Sequence, residues 1–188
     1  MDKKKCVSEM VFEGYGIELH PVTPCDLPCL RRWRNSPQIS RQMLDRSHIT
    51  PRRQRLWYEQ IRDRVDQAHW VVWLKGVRTG YVNIKGKGPL ESQRQVDVGL
   101  YVGDSKVRRG LLGYAMAMMQ LDIVFDQLSV ARVQMVVLED NWRVRQFNRQ
   151  LGYREDGCKD GVVGLSICRS DYETAKARLT RYFLHKRP

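Results

Sequence analysis

The stretch from Val98 to Ala115 offers the most chemistry. It begins as a strand pattern interrupted by Gly99, passes through the loop Gly103-Asp104-Ser105-Lys106-Val107-Arg108-Arg109, and then Gly110 opens a long apolar-periodic segment. The first turn of a helix presents about four unpaired N–H groups and roughly half a positive charge, so an anion set against it gains directed hydrogen bonds and dipole attraction. Lys106, Arg108 and Arg109 add charge at that place. A phosphate cradle and an ordinary strand-to-helix connection with a solvated basic loop both fit this segment by itself. A second constellation runs from Leu138-Glu139-Asp140-Asn141 to Phe147-Asn148-Arg149-Gln150-Leu151-Gly152-Tyr153. There Asn141 can cap a helix and Gly152 can end it.

The elements that must position these residues follow from periodicity. Alternation over residues 17–22 predicts a half-buried strand that Pro21 confines to an edge or a strand end. Asp26 can cap a helix carrying Leu27, Leu30 and Trp33, broken at Pro37, and Thr50-Pro51 opens another through Leu56, Trp57 and Ile61. Residues 69–74 and 81–84, joined by a turn over 76–80, read as an antiparallel hairpin, and a further strand covers 96–102. From 110 to 128 the apolar residues recur at three and four residue steps, which predicts an amphipathic helix of about five turns. A strand over 132–138, the helix behind Asn141, a strand over 162–168 and a basic helix over 171–186, begun by a Ser170 to Glu173 capping box, complete the chain. The order is β, α, α, three β, then α, β, α, β, α. It calls for one domain over residues 17–170, with 1–16 as an extension and 171–188 as a basic helix packed on or extending it.

Composition narrows the partners. Within 188 residues, 33 Lys and Arg oppose 21 Asp and Glu for a net charge of +12. That balance points toward an anionic partner: nucleic acid, an acidic membrane or a phosphate-rich small molecule. A hydrophobic content of 42 % excludes a mainly disordered chain, and no apolar run approaches the roughly 20 residues of a membrane span. Cysteines 6, 25, 29, 158 and 168 show no paired spacing and no matching histidine cluster, so no metal site is expected. The basic start leads into Glu9 and Glu13 rather than an apolar stretch. A reducing, cytoplasmic setting is therefore expected. No zinc finger, helix-turn-helix or RNA-binding aromatic pattern supports a nucleic-acid module. The oligomeric state stays open, a homodimer included.

The element order and the two constellations together resemble the GNAT superfamily of acetyl-CoA-dependent N-acyltransferases, over residues 17 to about 168. The family's phosphate loop, Q/R-x-x-G-x-G/A, is matched by Val107-Arg108-Arg109-Gly110-Leu111-Leu112, with Val107 in place of Gln or Arg and Leu112 in place of the last small residue. The family's Leu-Gly-Phe or Leu-Gly-Tyr ending is matched at Leu151-Gly152-Tyr153. The resemblance implies an α/β fold with a mixed, mostly antiparallel sheet splayed between its fourth and fifth strands and helices on both faces. It implies acetyl-CoA as the acyl donor, with the pyrophosphate on residues 107–113 and the pantetheine arm along Leu100, Tyr101, Val102, Asn141 and Phe147. Asn148 occupies the place where many members carry a tyrosine that protonates the leaving thiolate, so Tyr153 or Tyr101 becomes the candidate for that work, or the thiolate leaves unassisted.

A strand bulge at Gly99 and Leu100 would splay two parallel strands apart, and a backbone N–H near Leu100 or Tyr101 would then stabilise the oxyanion. The amine must arrive neutral, and Asp97 is the first choice of base, ahead of Glu91 and Glu139; pairing with a neighbouring arginine is its alternative role. No cysteine lies in a cleft-forming segment, which favours direct transfer in a ternary complex over an acyl-enzyme. Trp33-Arg34-Asn35-Ser36-Pro37, Met43, Ile49-Thr50-Pro51 and Trp57 resemble the GNAT subgroup that acetylates a 4-amino nucleotide sugar in pseudaminic acid biosynthesis, with Gln54 where that subgroup commonly has histidine. Arg34, Asn35, Met43 and Trp57 are the implied acceptor contacts, the guanidinium suiting a diphosphate. A protein N-terminus, such as that of a ribosomal protein, is the alternative acceptor, and the arginines of this region and its two tryptophans fit equally a solvated face and core packing.

Overall fold

In the computed structural model, which describes residues 6–107 and 110–184, β-branched and aromatic residues in alternation build a mixed sheet of eight strands in the order β1-β2-β3-β4-β5-β6-β8-β7. The strands are β1 (Phe12–Gly14), β2 (Ile17–Pro21), β3 (Gln67–Leu74), β4 (Val77–Lys85), β5 (Gln95–Val102), β6 (Arg132–Leu138), β7 (Arg154–Lys159) and β8 (Val162–Cys168). β5 and β6 are parallel, and the other neighbouring pairs among the described residues are antiparallel. The helices are α1 (Leu27–Asn35), α2 (Pro37–Ser40), α3 (Pro51–Ile61), α4 (Leu112–Asp122), α5 (Trp142–Gln150), α6 (Arg169–Leu179) and α7 (Arg181–Leu184).

Alternation on β3 explains the two cores. Ala68, Trp70 and Val72 enter the main cluster with Met116, Met118 and Leu121 of α4, while Val71 joins Leu30, Trp33, Ile39 and Tyr81 under α1 to α3. The sheet is thus covered on both faces.

Several expectations change. Residues 12–14 form a strand against β2 across a turn at Tyr15-Gly16, both with positive φ, so the extension contributes to the sheet and β2 is an interior strand, with Pro21 at its end as one of the two expected places. The β3–β4 turn is two residues, Lys75-Gly76, again at positive φ, and β4 therefore starts at Val77. β7 is a strand the periodicity did not reveal, since every residue of it is exposed. The expected helix over 110–128 divides into α4 and a π-helical turn, Ile123–Gln127. α4 is buried on nearly all sides, because it lies between the sheet and α6, whose Tyr172 hydroxyl donates to the Met118 carbonyl at 2.9 Å. α6 begins at Arg169, so Ser170 sits inside the helix instead of capping it; residues 185–188 lie outside the described residues.

The bulge expected at Gly99 and Leu100 is absent from the ladder. β4 and β5 stay in unbroken register from Gly80↔Val102 to Lys85↔Asp97. The parting itself is where the resemblance implies, between the two parallel strands: β5 pairs with β6 only at Gln95↔Arg132, Val96↔Val133 and Asp97↔Gln134, and the two strands continue to Val102 and Leu138 without further pairing.

Candidate active site

The separation of β5 from β6 opens a cavity of about 830 Å³ lined from both faces of the sheet. One lobe lies between the separated strands, against Gly113 and Ala117 of α4 and Val144 and Phe147 of α5. The other lies under α1 to α3, with Arg34, Met43, Arg53 and Trp57 in its wall.

Strand register dictates what the second lobe meets. In paired strands, opposed residues share a face, so three rows cross the sheet: Val71, Tyr81 and Tyr101; His69, Asn83 and Gly99; Gln67, Lys85 and Asp97. Tyr81 and Tyr101 stack with centroids 5.2 Å apart. A Cβ at Gly99 would come within 3.3 Å of Asn83, so glycine there leaves the amide its room. Gln120 of α4 is buried, and its Nε2 donates to the carbonyls of Asn83 (2.6 Å) and Gly99 (3.0 Å), fixing β4 and β5 at the splay. Its signal in the sequence is one amide within an otherwise apolar helix.

The predicted residues divide between the cavity and its surroundings. Leu100, Tyr101, Val102, Gly113, Asn141, Phe147, Asn148 and Tyr153 line it, as do Arg34, Met43 and Trp57. Val107, Leu111 and Leu112 lie outside the lining, Leu112 buried under the helix start and Leu111 beside a smaller pocket with Arg178 and Tyr182. Gly110 sits at the turn into α4 with φ +104°, while Arg108 and Arg109 lie outside the described residues. Asn35 is a clamp: its Nδ2 donates to the Ile49 carbonyl and its Oδ1 accepts from the Ile49 N–H, both at 2.9 Å, tying the loop over 41–50 to α1.

Asp97 stands apart. It is exposed in the outermost row, where β5 and β6 still pair, and is not among the lining residues; neither are Glu91 and Glu139. Position, not residue type, separates it from the site, because the strands diverge only beyond it. None of the five cysteines lines the cavity.

The electrostatics of the cavity are cationic. Arg34, Arg53, Lys85 and Arg143 line it against one carboxylate among the described lining residues, Asp45. Ser47, through its hydroxyl and N–H, and Arg53 hold Asp45 down to about 2. Arg34 Nη2 donates to the Asp45 carbonyl, whereas its Nη1 is buried with no hydrogen-bond partner among the described residues. Such an orphan costs free energy unless something fills it. Burial raises the tyrosine hydroxyls of Tyr101 and Tyr153, so both stay protonated. Asn148 is 3 % exposed and its Nδ2 donates back to the Val144 carbonyl, at 2.9 Å, within its own helix.

Residues 17–154 match the family model described as "Acetyltransferase (GNAT) domain". The chain belongs to the GNAT acetyltransferase family. This acetyltransferase shares the fold of solved structures at low identity. One, described as apo FdhC, a nucleotide-linked sugar GNAT, is 15 % identical with a TM-score of 0.76, covering 93 % of this chain and 98 % of that one. A spermidine N-acetyltransferase from Vibrio cholerae, in complex with CoA and spermine, is 15 % identical with a TM-score of 0.75, covering 85 % and 99 %. The aminoglycoside acetyltransferase AAC(6')-Ib in complex with coenzyme A is 18 % identical with a TM-score of 0.69, covering 84 % and 98 %. Among curated proteins none matches the sequence. The protein is an N-acetyltransferase, transferring acetyl to an amine. Among the described residues no helix is long and apolar enough to cross a membrane.

Proposed function

We propose that this acetyltransferase uses acetyl-CoA to acetylate the 4-amino group of a nucleotide-linked sugar. The observation that carries the reading is Arg34 Nη1, buried and unpartnered among the described residues, in a cavity where four cations face one carboxylate among those residues, the carboxylate already paired with Arg53. A guanidinium so placed suits a diphosphate oxygen. The same cavity repels a spermidine or an aminoglycoside, which arrive as polycations.

Acetyl-CoA supplies the activated acetyl thioester. The first lobe fits its arm: β5 past Asp97 offers a strand edge to an amide-bearing chain, and the turn into α4 offers N–H groups to a diphosphate. Backbone N–H groups near Leu100 and Tyr101 stabilise the oxyanion as the amine attacks. With acetyl-CoA bound, carbon–nitrogen bond formation would be matched by carbon–sulfur cleavage, and Tyr153 Oη would give the departing sulfur its proton and regain one from solvent. Asn148 has no role in that transfer, since an amide is not a useful proton donor. The acceptor's surplus proton would leave to solvent; Asp45, the one carboxylate among the described lining residues, is already engaged by Ser47 and Arg53.

Thiol release from acetyl-CoA tests the reading with a UDP-linked 4-amino-4,6-dideoxy sugar, the free amino sugar, spermidine, kanamycin and a peptide N-terminus. The nucleotide sugar should show the highest kcat/KM, and Arg34→Gln should lower it for that substrate alone. Equal rates on the free and nucleotide-linked sugars, or preference for spermidine, would overturn the assignment.

A further inference from the structure

One buried pair in the acceptor lobe is absorbed by none of the roles above. His69 is 6 % exposed on β3, its ring edge-on to Trp57 of α3 at 5.4 Å. Its Nε2 lies 3.0 Å from Gln67 Oε1 and its Nδ1 lies 2.5 Å from Tyr81 Oη. An amide oxygen only accepts, so Nε2 carries the ring proton and Nδ1 is the acceptor. The Tyr81 hydroxyl therefore donates inward, to the histidine. A hydroxyl has one proton and two lone pairs. The proton is held by His69, one lone pair accepts from Asn83 Nδ2 at 3.3 Å, and the other remains for the cavity that Tyr81 lines.

We propose that Tyr81 receives an N–H of the acceptor amine and turns the amine's lone pair toward the thioester carbon, with His69 as the positioning residue that makes Tyr81 an acceptor. This rests on amine acetylation in the cavity and not on which amine is used. A hydroxyl locked as an acceptor selects a group that donates N–H bonds, and a neutral amine has both an N–H to give and a lone pair to attack with. Tyr81 differs in this from Tyr153, whose hydroxyl makes no hydrogen bond among the described residues and is left to donate.

The pair is a fixed dipole and not a proton sink. Burial, and secondarily the charge of Lys85, push His69 down to about 3, against a smaller opposing pull from Asp66. Burial also raises Tyr81. Neither group changes charge between pH 5 and 8, so the orientation holds across that range. The groups facing the pair are Trp57 from α3, Gln67 and Asp66 at the start of β3, Asn83 and Lys85 from β4, and Tyr101 from β5, stacked on Tyr81.

Two measurements test the proposal on the full-length protein. With 15N-labelled histidine and His69→Gln to assign the signal among the four histidines, His69 should be the Nε2–H tautomer throughout pH 5–8. An imidazolium appearing near pH 6, or an Nδ1–H tautomer, overturns it without reference to any acceptor. In steady-state assays on the panel amine that wild type turns over best, Tyr81→Phe should lower kcat/KM for the amine about tenfold or more, with coenzyme A affinity kept. His69→Leu should do the same, His69→Gln should restore most of the rate, and His69→Leu should add nothing in the Tyr81→Phe background. Additive losses, or loss of coenzyme A affinity, would mark the pair as packing only. Failure of the UDP-linked sugar as substrate removes the sugar assignment and leaves these outcomes readable.

Discussion

Replacing His69 by glutamine should remove one specific component of acid sensitivity. In the folded protein burial holds this imidazole down to about 3, whereas the unfolded chain titrates it at its ordinary value of 6.5. Between those values the unfolded state binds a proton that the native state refuses, so stability rises with pH and is lost as pH falls below 6.5. At pH 5 the chain is 1.5 pH units below the unfolded value, and at about 1.36 kcal/mol per unit the loss is about 2 kcal/mol relative to pH 8. With an unfolding entropy of roughly 2.1 cal/mol/K per residue, 188 residues give about 0.4 kcal/mol/K, so 2 kcal/mol corresponds to about 5 °C. Glutamine keeps an acceptor for Tyr81 and does not titrate. Thermal or urea unfolding of wild type and His69→Gln at pH 8 and pH 5 isolates the difference, because every other group is common to both. Wild type should lose about 2 kcal/mol more than the variant on that descent. Equal losses would show that His69 is not held neutral, and the orientation of Tyr81 would lose its basis.

Other perturbations probe the frame and the chemistry. A Cβ at Gly103 would come within 2.1 Å of the buried Trp33 ring, so Gly103→Ala should cost about 1–3 kcal/mol and lower Tm by several degrees; an unchanged Tm would mean the loop yields without effect. Tyr153→Phe should lower kcat by about a hundredfold with KM for acetyl-CoA little changed, and a wild-type kcat would show that the thiolate leaves unassisted. Asp97→Asn should change kcat/KM by less than about threefold, since the carboxylate stands outside the cavity; a large loss concentrated at neutral pH would return Asp97 to the role of base.

What could be read from the sequence depended on whether a single element carried the information. β6 was legible, because the Val- and Met-rich segment over 132–138 is followed by Glu139-Asp140 and a capping asparagine. Asn141 accepts from the Val144 N–H as its type predicts, and Gly152 ends α5 at φ +98°. β7 was not legible: Arg-Glu-Asp-Gly-Cys-Lys offers no apolar face, and only the Asp160-Gly161 turn, both at positive φ, announces the hairpin. α4 looked amphipathic because spacing counts the apolar residues that recur and not those between them, and Met116, Ala117 and Met119 fill its other faces. Within the cavity wall, expected residues that share one strand or helix, such as Leu100 to Val102 or Phe147 and Asn148, lie together, while relations across strands had no signal in the sequence. Tyr81 and His69 are diagonal neighbours on β4 and β3, and that relation exists only once the two-residue turn at Lys75-Gly76 and the one-residue register shift between Val72 and Trp73 have both been made. Asp97 had the right chemistry but sits at the last paired position, just before β5 becomes accessible.

The most direct measurement is a crystal structure of the protein with coenzyme A. The arm should lie between residues 98–102 of β5 and 135–138 of β6, with its diphosphate against the turn that leads into Leu112. Coenzyme A bound elsewhere, with those two strands closed on each other, would contradict the account at its root.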